Sequence, residues 1–327
     1  MYRQGTFVSY KLSMRHVIEN EKVLVEVMDI GATLTRFIKK KNNQDFVLGF
    51  DTDQGYIDNN GTNIGASIGR NCNRIGNARF TLNGTEYQLS VNNNMNQLHG
   101  GGVNGFAFKT WNLKNKTNDE LVFEYDSLDL EEGFPGNLHA EVSYKLEGGS
   151  LIITFTGTSD SDTIFNMTNH SYFNLGADTI KDHELRITTD KYSPVDDYSL
   201  TLDEVKDVKG TGFDFTNFTR IGKNLEIETE GIDNNYVWEN MDDKLMAELK
   251  YNDNKLNVYS DLPDMHLYTA YWLDNCIGKY NKQYGRFGAV CLECQFYPNA
   301  INYDNYIKPI LKKGEISKHY IRFEIED

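Results

Sequence analysis

The amino-acid sequence predicts an all-β protein, a large antiparallel β-sandwich with few short helices. Hydrophobic residues alternate with a period of two along many short segments, as expected for strands with one buried face. Clusters of Asn, Asp and Gly separate these segments at intervals of about 8–15 residues. Long stretches with helical periodicity are absent. These features favour an antiparallel sandwich or barrel over alternating strands and helices.

The clearest local element is a hairpin near the middle of the chain. Residues 141–146 alternate, Gly148 and Gly149 supply a turn, and residues 151–156 continue as a β-rich run. The same pattern predicts strands at 22–29, 121–125, 183–188, 255–260, 266–271, 289–295 and 319–325. The only helix that the pattern allows is a short one near 201–208. Because there is no linker, composition break or repeat, residues 1–327 are predicted to form a single domain.

Composition narrows the range of partners. The 327 residues carry 33 Lys+Arg against 48 Asp+Glu, a formal net charge of −15, and 39% of them are hydrophobic. Such a chain has enough apolar residues for a core, and its acidity disfavours nucleic acid and anionic membranes. Residues 1–20 lack an apolar run of signal-peptide length, and no segment approaches the length that crosses a membrane. We therefore expect a cytoplasmic protein with a neutral small-molecule partner.

The four cysteines fit a reducing compartment. They are too few for a disulfide scaffold in a chain of this length. Cys291 and Cys294 form a C-x-x-C sequence, which suggests redox or metal chemistry. They lie on a predicted strand, however, where residues three apart face opposite sides of the sheet. We therefore predict unpaired core residues.

Two segments are rich in hydrogen-bond donors and glycine. Residues 69–75 contain Arg70, Asn73 and Arg74, which offer fixed donors to hydroxyl or carboxylate oxygens. A surface loop with an ordinary ion pair is the alternative interpretation. In the second segment His99 precedes three glycines, where backbone can approach a ligand closely. An exposed His in a glycine-rich turn explains that pattern equally well, and the phosphate-loop pattern is absent.

Three further residues are candidates for acid–base chemistry or binding. His170 lies among Asn and hydroxyl side chains, which fix the orientation and tautomer of an imidazole. Glu293 lies on a predicted strand, on the face opposite Leu292 and Cys294, and a carboxylate among apolar neighbours is costly unless it is paired or functional. Asp233 is a weaker candidate, because its surroundings also fit a simple turn.

Metal and nucleophile motifs are missing from the sequence. None of the seven histidines shows H-x-H or H-x-x-x-H spacing, and there is no G-x-S-x-G sequence. A metal site built from His99, His170 and Asp233 therefore has no local support, and no metal is predicted. The remaining possibility is a His and a carboxylate acting without a cofactor, as general acid and base on a polyhydroxyl or carbonyl substrate.

Six motifs together resemble those of the aldose 1-epimerases, also called galactose mutarotases. They are residues 73–75, 98–101, 132–137, the string Thr-Asn-His-Ser-Tyr-Phe-Asn-Leu at 168–175, Asp233 with Tyr236, and 292–298. The resemblance runs from about residue 30 to the end of the chain. It implies an antiparallel β-sandwich with the sugar in a cleft. It also implies interconversion of the α and β anomers of hexoses such as galactose and glucose, with no cofactor.

The resemblance also assigns roles. Glu293 matches the general base that takes the proton of the C1 hydroxyl, and His170 matches the general acid that protonates the ring oxygen. Substrate-binding positions match Arg74, His99, Asp233 and Asn73. With ordinary pKa values of about 4.3 for Glu and about 6.5 for His, the base is ionised and the acid partly protonated at neutral pH.

The chain departs from the usual family pattern at three places. Asn234 stands where many members have His, Asn299 where Asp is usual, and Tyr271-Trp272 where Gly-Asn is commoner. Trp272 stacks on a sugar face in one interpretation and belongs to the core in the other. Two other functions remain open: a carbohydrate-binding or sugar-sensing protein, and an epimerase for another aldose or a hexose 6-phosphate. The sequence does not distinguish a monomer from a homodimer.

Overall fold

Two large antiparallel sheets, of nine and six strands, contain most of the strands. The computed structural model describes residues 13–274 and 276–326. From edge to edge, the nine-stranded sheet consists of Asn112–Lys116, Glu120–Ser127, Leu138–Glu147, Ser150–Ser159, Ile316–Ile325, Asn254–Ser260, Lys244–Tyr251, Glu184–Ile187 and Thr219–Arg220. The six-stranded sheet consists of Tyr172–Phe173, Val290–Gln295, Asp264–Tyr268, Asp233–Val237, Lys191–Ser193 and Lys206–Asp207.

Smaller elements complete the described part of the fold. A four-stranded sheet consists of Arg15–Glu19, Val23–Met28, Thr33–Lys39 and Gln44–Asp45. Two-stranded ladders pair Ser67–Ile68 with Thr168–Asn169, Arg74–Ile75 with Gln97–Leu98, Arg79–Leu82 with Thr85–Gln88, Thr163–Ile164 with Ile310–Leu311, and Cys276–Ile277 with Gln283–Tyr284. The α-helices are Asp53–Asp58 and Ile221–Leu225, and 3-10 turns lie at Asn60–Thr62, Gly76–Ala78, Phe106–Phe108, Glu131–Gly133, Ile180–Asp182, Lys279–Asn281 and Ala300–Asn302.

The two large sheets pack face to face around a shared hydrophobic core. Val142 of the nine-stranded sheet and Leu267 and Leu292 of the six-stranded sheet are fully buried members of it. The rings of Phe173 and Phe323, one from each sheet, lie 4.8 Å apart between centroids. The predicted antiparallel sandwich is therefore confirmed.

Hydrophobic alternation located the strands to within a few residues. All nine segments that it predicted are strands, and the central hairpin has the predicted turn. Glu147 pairs with Ser150, which leaves Gly148 and Gly149 as a two-residue connection. Gly148 has φ +60°, as the tight turns that match strand twist require.

The helix predicted near 201–208 is wrong. This segment is irregular apart from the short strand Lys206–Asp207. The hydroxyl of Tyr297 donates to the carbonyls of Leu202 and Glu204, at 2.5 and 3.1 Å. Because a helix would use these carbonyls for its own hydrogen bonds, the packing of Tyr297 replaces helical structure here.

The cysteines lie where the strand geometry predicts. All four are free and buried. Cys294 belongs to the main core, whereas Cys291 packs into a second cluster on the opposite face with Tyr172. The C-x-x-C sequence therefore does not bring two thiols together.

No described helix has both the length and the apolar character to cross a membrane. Residues 1–12, which contain most of the stretch predicted to lack a signal peptide, lie outside the described residues.

Candidate active site

A cleft of about 340 Å³ lies against the face of the six-stranded sheet that points away from the main core. Three neighbouring strands contribute Asp233, His266 and Glu293 to it. Alternation explains this arrangement, because the flanking Leu267 and Leu292 point into the core. All six predicted site residues line this cleft: Asn73, Arg74, His99, His170, Asp233 and Glu293.

Glu293 lies at the bottom of the cleft and is 1% exposed. Its Oε1 is 3.7 Å from Nε2 of His170, and its buried Oε2 has no hydrogen-bond partner among the described residues. Burial, reinforced by the negative charge of Asp233, raises the pKa of Glu293 well above its usual range. The carboxyl group therefore favours its neutral form.

The main chain holds His170 on both sides. Its N–H donates to the carbonyl of Ala66, and its carbonyl accepts from Gly65, both at 2.9 Å. The ring stacks on Tyr172, with centroids 5.2 Å apart and planes 15° apart. Burial lowers the pKa of His170 to about 4. The ordinary charge states expected from the sequence are therefore wrong, because burial favours the neutral forms of both His170 and Glu293.

His99 is fixed in one tautomer by its contact with Asn73. The N–H of Asn73 donates to Nδ1 of His99 at 3.2 Å, and the N–H of His99 donates to the carbonyl of Asn73 at 3.1 Å. Because Nδ1 accepts, the neutral ring carries its proton on Nε2. Burial, reinforced by the neighbouring His170 and the positive charge of Arg74, lowers the pKa of His99. His99 is therefore a neutral donor beside His170, whose ring centroid lies 5.2 Å away.

A glycine allows this close approach of two loops. Gly100 has φ +76°, and a Cβ there would lie 1.9 Å from the carbonyl oxygen of Gly69. Any other residue would push His99 away from the 69–74 segment.

Arg74 and Asp233 face each other in the cleft. Nε of Arg74 donates to Oδ1 of Asn93 at 3.1 Å, and Nη2 lies 3.9 Å from Oδ2 of Asp233. Oδ1 of Asp233 lies 2.7 Å from Nε2 of His266. Burial alone would raise the pKa of Asp233, but the hydrogen bond from His266 and the nearby positive charges lower it to about 2. Asp233 is therefore an ionised acceptor.

The amino-acid sequence of this chain is similar to those of proteins of known family. A family model described as aldose 1-epimerase matches residues 14–324. The chain belongs to the aldose 1-epimerase family. Galactose mutarotase of Bos taurus is 35% identical over 318 residues, which cover 94% of this chain and 92% of that protein. Aldose 1-epimerase of Escherichia coli (strain K12) is 33% identical over 313 residues, 90% of each chain.

Solved structures of similar proteins share the fold. The GalM/aldose epimerase homologue from C. elegans superimposes with a TM-score of 0.89 at 28% identity, over 96% of this chain and 99% of that chain. Galactose 1-epimerase from Lactobacillus acidophilus NCFM gives a TM-score of 0.84 at 26% identity, over 95% and 93% of the two chains. The resemblance seen in the sequence is confirmed, and the chain is an enzyme, an isomerase with aldose 1-epimerase activity.

Arg70, considered from the sequence as a donor near the substrate, is not in the cleft of this aldose 1-epimerase. It is 2% exposed, and its guanidinium donates to carbonyls of Ser127, Leu128 and Pro135, each at 2.9 Å. Backbone carbonyls and the hydroxyls of Ser127 and Thr163 therefore enclose it. Arg70 is a structural residue, although it lies four positions from Arg74.

Two of the three departures from the family pattern are structural. Asn234 points to the face opposite Asp233 and donates to the carbonyl of Ser193 at 3.1 Å. Asn299 accepts from the N–H of Gly76 at 3.0 Å and does not line the cleft.

The third departure reaches the cleft of the epimerase. Trp272 is 74% exposed and lines the cleft, so the core interpretation is wrong. The backbone N–H of Trp272 donates to the hydroxyl of Tyr268 at 2.9 Å. This hydrogen bond connects the mouth of the cleft to the six-stranded sheet.

One group of side chains in the cleft has the composition of a metal site. Ligand atoms of His99, His170 and Glu293 lie within 4.8 Å of one another. The N–H of Asn73 already occupies Nδ1 of His99, so the proton on Nε2 blocks the lone pair that would face an ion. The donor set therefore fits a sugar hydroxyl better than a metal ion.

The sequence did not identify His266 as a site residue. The alternation of residues 266–271 predicted a strand, but a lone His on a strand carries no further signal. Strand pairing places His266 in the cleft, since it lies directly across from Glu293 on the neighbouring strand.

Proposed function

We propose that this epimerase interconverts the α and β anomers of neutral hexoses such as galactose and glucose. Glu293 and His170 are the acid–base pair, and Arg74, His99, Asp233 and Asn73 form the sugar site. The observation that carries the proposal is the 3.7 Å separation of Glu293 and His170 in a cleft lined by hydrogen-bonding side chains. Galactose as substrate is supported by the relative named galactose mutarotase.

The reaction needs two proton transfers and no net change. Glu293 takes the proton of the C1 hydroxyl while His170 gives a proton to the ring oxygen, so that the C1–O5 bond breaks and C1 becomes an aldehyde carbon. Rotation about C1–C2 presents the other face of the aldehyde. Ring closure with the two roles reversed returns both protons and yields the other anomer. Each positioned group contributes about 10²–10⁴-fold.

Glu293 and His170 must share one transferable proton throughout this cycle, in addition to the N–H of the neutral imidazole. Burial disfavours the ionic form of both groups, so the resting pair is a neutral carboxylic acid beside a neutral imidazole. The distribution with ionised Glu293 and protonated His170 carries the same total charge and is reached by moving one proton within the pair. Sugar hydroxyls that donate to the unpartnered carboxylate oxygen stabilise that distribution.

A bell-shaped dependence of kcat/KM on pH follows. Below about 4 a second proton binds His170, and the pair loses its base. At high pH the last proton leaves Glu293, at a pKa well above its ordinary 4.5, and the pair loses its acid. Both limbs are macroscopic properties of the pair.

The other side chains provide recognition. His99 presents Nε2–H toward the ring oxygen region beside His170, and Oδ2 of Asp233 accepts from a hydroxyl. Arg74 donates to hydroxyl oxygens from the same side. The backbone of Asn73 sets the tautomer of His99, and its Oδ1 accepts from the N–H of Arg74 at 2.8 Å, so its contribution is to shape the site.

A neutral sugar fits the charges better than a phosphorylated one. Arg74 is the one Lys or Arg among the described residues lining the cleft, and it already faces Asp233. The net charge of −15 also opposes nucleic acid and anionic membranes as partners. A cytoplasmic location is supported by the four free, buried cysteines.

Polarimetry on freshly dissolved α-galactose and α-glucose tests the proposal, with xylose, arabinose and glucose 6-phosphate as comparisons. The rate of anomer equilibration is expected to rise in proportion to enzyme concentration for neutral hexoses and to survive EDTA. Loss of activity with EDTA would restore the metal hypothesis. Sugar binding without acceleration would instead identify a carbohydrate-binding protein.

A further inference from the structure

His266 lines the cleft, but the proposed reaction gives it no part. It is 3% exposed and lies on the central strand of the site, with Asn235 and Glu293 as its neighbours across the two adjoining strands. Its Nε2 lies 2.7 Å from Oδ1 of Asp233. A short contact to a carboxylate from a buried ring is strong and directional.

The direction of this hydrogen bond is determined by chemistry. With its pKa lowered to about 2, Asp233 is ionised and has no proton to give. Nε2 of His266 is therefore the donor, and Asp233 is the acceptor. The other ring nitrogen, Nδ1, is buried and has no partner among the residues that the structure describes. The one polar contact of the His266 side chain thus goes to Asp233.

The contact fixes one oxygen of Asp233 and leaves the other free for the cleft. Oδ1 is taken by His266, whereas Oδ2 faces Arg74 at a distance of 3.9 Å, which is too long for a hydrogen bond. A carboxylate with one oxygen held and one unoccupied presents a single acceptor in a defined direction. A sugar hydroxyl placed between Arg74 and Oδ2 would find both a donor and an acceptor.

We propose that His266 is a positioning residue that orients Asp233 through its Nε2–H and thereby sets the affinity for the sugar. The proposal rests on the proposed function, because it takes Asp233 as a sugar ligand. His266 does not take part in proton transfer. Its effect is expected in KM rather than in kcat, since Glu293 and His170 keep their separation when Asp233 moves.

A pair of amide substitutions separates the two ring nitrogens. In His266→Gln the amide nitrogen lies near the place of Nε2, so the donation to Asp233 is retained. In His266→Asn the amide lies near the place of Nδ1 and does not reach Asp233. We expect KM for galactose to rise about tenfold or more in H266N and about threefold or less in H266Q. The value of kcat stays within about threefold in both variants.

Asp233→Asn completes a double-mutant cycle. If His266 acts through Asp233, the variant D233N/H266N has a KM no higher than about threefold above that of D233N alone. Additive losses would overturn the proposal, because they would show that His266 contacts the sugar independently. Equal losses in H266Q and H266N would overturn it too, as would a fall in kcat at constant KM in H266N.

Two further measurements keep the test decisive. The dissociation constant for equilibrated galactose, measured by calorimetry, is expected to rank wild type, H266Q and H266N in the same order as KM. If wild type binds galactose but does not accelerate anomer equilibration, the proposed function fails, and the dissociation constants still test the role of His266. If wild type does neither, both fail. If H266N does not fold, ¹⁵N NMR of the His-labelled wild type determines the tautomer of His266, and H266Q, which lacks this ring, assigns its signals. A proton on Nε2 is expected. A ring protonated on Nδ1 alone would overturn the proposal.

Discussion

Two buried polar clusters meet at the 69–74 segment and differ in how their hydrogen-bonding capacity is used. Around Arg70, the guanidinium donates to three carbonyls and to hydroxyls of Ser127 and Thr163. Around Glu293 and His170, the buried atoms Oε2 and Nδ1 have no partner within the described ranges. Both clusters are almost fully buried, but only the first is satisfied.

The difference separates stability from function. A buried charge with all its donors satisfied holds neighbouring segments in place, and its loss leaves several carbonyls unpaired. A buried acid–base pair without partners reduces the stability of the empty protein but offers its free atoms to the substrate. The two arginines of one short segment, Arg70 and Arg74, thus belong to different clusters.

Removing the acid–base pair is expected to give the largest effect. In Glu293→Gln and in His170→Asn the rate of anomer equilibration falls by about 10²–10⁴-fold, because one proton transfer loses its partner. Polarimetry with fresh α-galactose measures the rate, and far-UV circular dichroism checks the fold. An unchanged rate in either variant would rule out the role given to that residue.

Substituting Arg70 is expected to affect stability and leave the reaction intact. Arg70→Met leaves carbonyls of Ser127, Leu128 and Pro135 without their donor, and we expect the free energy of unfolding to fall by about 3–5 kcal/mol. Urea unfolding measures this change. Below the unfolding transition, kcat/KM is expected within about threefold of wild type. A selective loss of activity in a stable R70M would place Arg70 in the sugar site after all.

The two clusters also differ in the pH dependence of stability. Because burial raises the pKa of Glu293, the folded protein keeps this proton above pH 4.5, where the unfolded carboxyl ionises. The folded state then binds more protons, so its unfolding free energy falls as pH rises, by at most about 1.4 kcal/mol per pH unit from this group. E293Q lacks this contribution, so its unfolding free energy relative to that of wild type should increase as the pH rises above about 5.

Arg70 provides the contrast for this measurement. Burial lowers its pKa to about 10, so it stays protonated in both states below about pH 9 and adds no pH dependence there. The unfolding free energy of R70M should therefore show the same pH dependence as that of wild type and lie below it by a constant amount. Urea unfolding at several pH values compares the three proteins. A curve for E293Q that stays parallel to wild type would mean that Glu293 is ionised in the folded protein.

The smallest effect is expected at the mouth of the cleft. Trp272→Ala removes an exposed ring that lines the site, and KM should rise about two- to tenfold with kcat unchanged if the ring packs on the sugar. Tyr280→Ala is the control, because Tyr280 is 70% exposed and does not line this cleft. Steady-state polarimetry gives both constants. An equal KM in W272A and wild type would remove Trp272 from the sugar site.

Local sequence patterns predicted the parts of the molecule that depend on local chemistry. Period-two alternation located strands because each strand buries one face, and it placed Glu293 opposite Leu292. The pair Gly148-Gly149 predicted a hairpin because few other residues adopt its turn. The helix predicted at 201–208 is wrong because local patterns do not show distant contacts. The hydroxyl of Tyr297 donates to two carbonyls that a helix would use for its own hydrogen bonds.

The sequence by itself determined the alternation, the turns and the residue types of the acid–base pair, all of which are read within a few positions. Only the tertiary structure decided that Arg70 is enclosed while Arg74 lines the cleft, and that His266 lies beside Glu293. It also decided the pKa values of His170 and Glu293, because the groups that bury them come from other strands. Register between distant strands and the loss of solvent at a site are properties of the packed sandwich, and no local pattern encodes them.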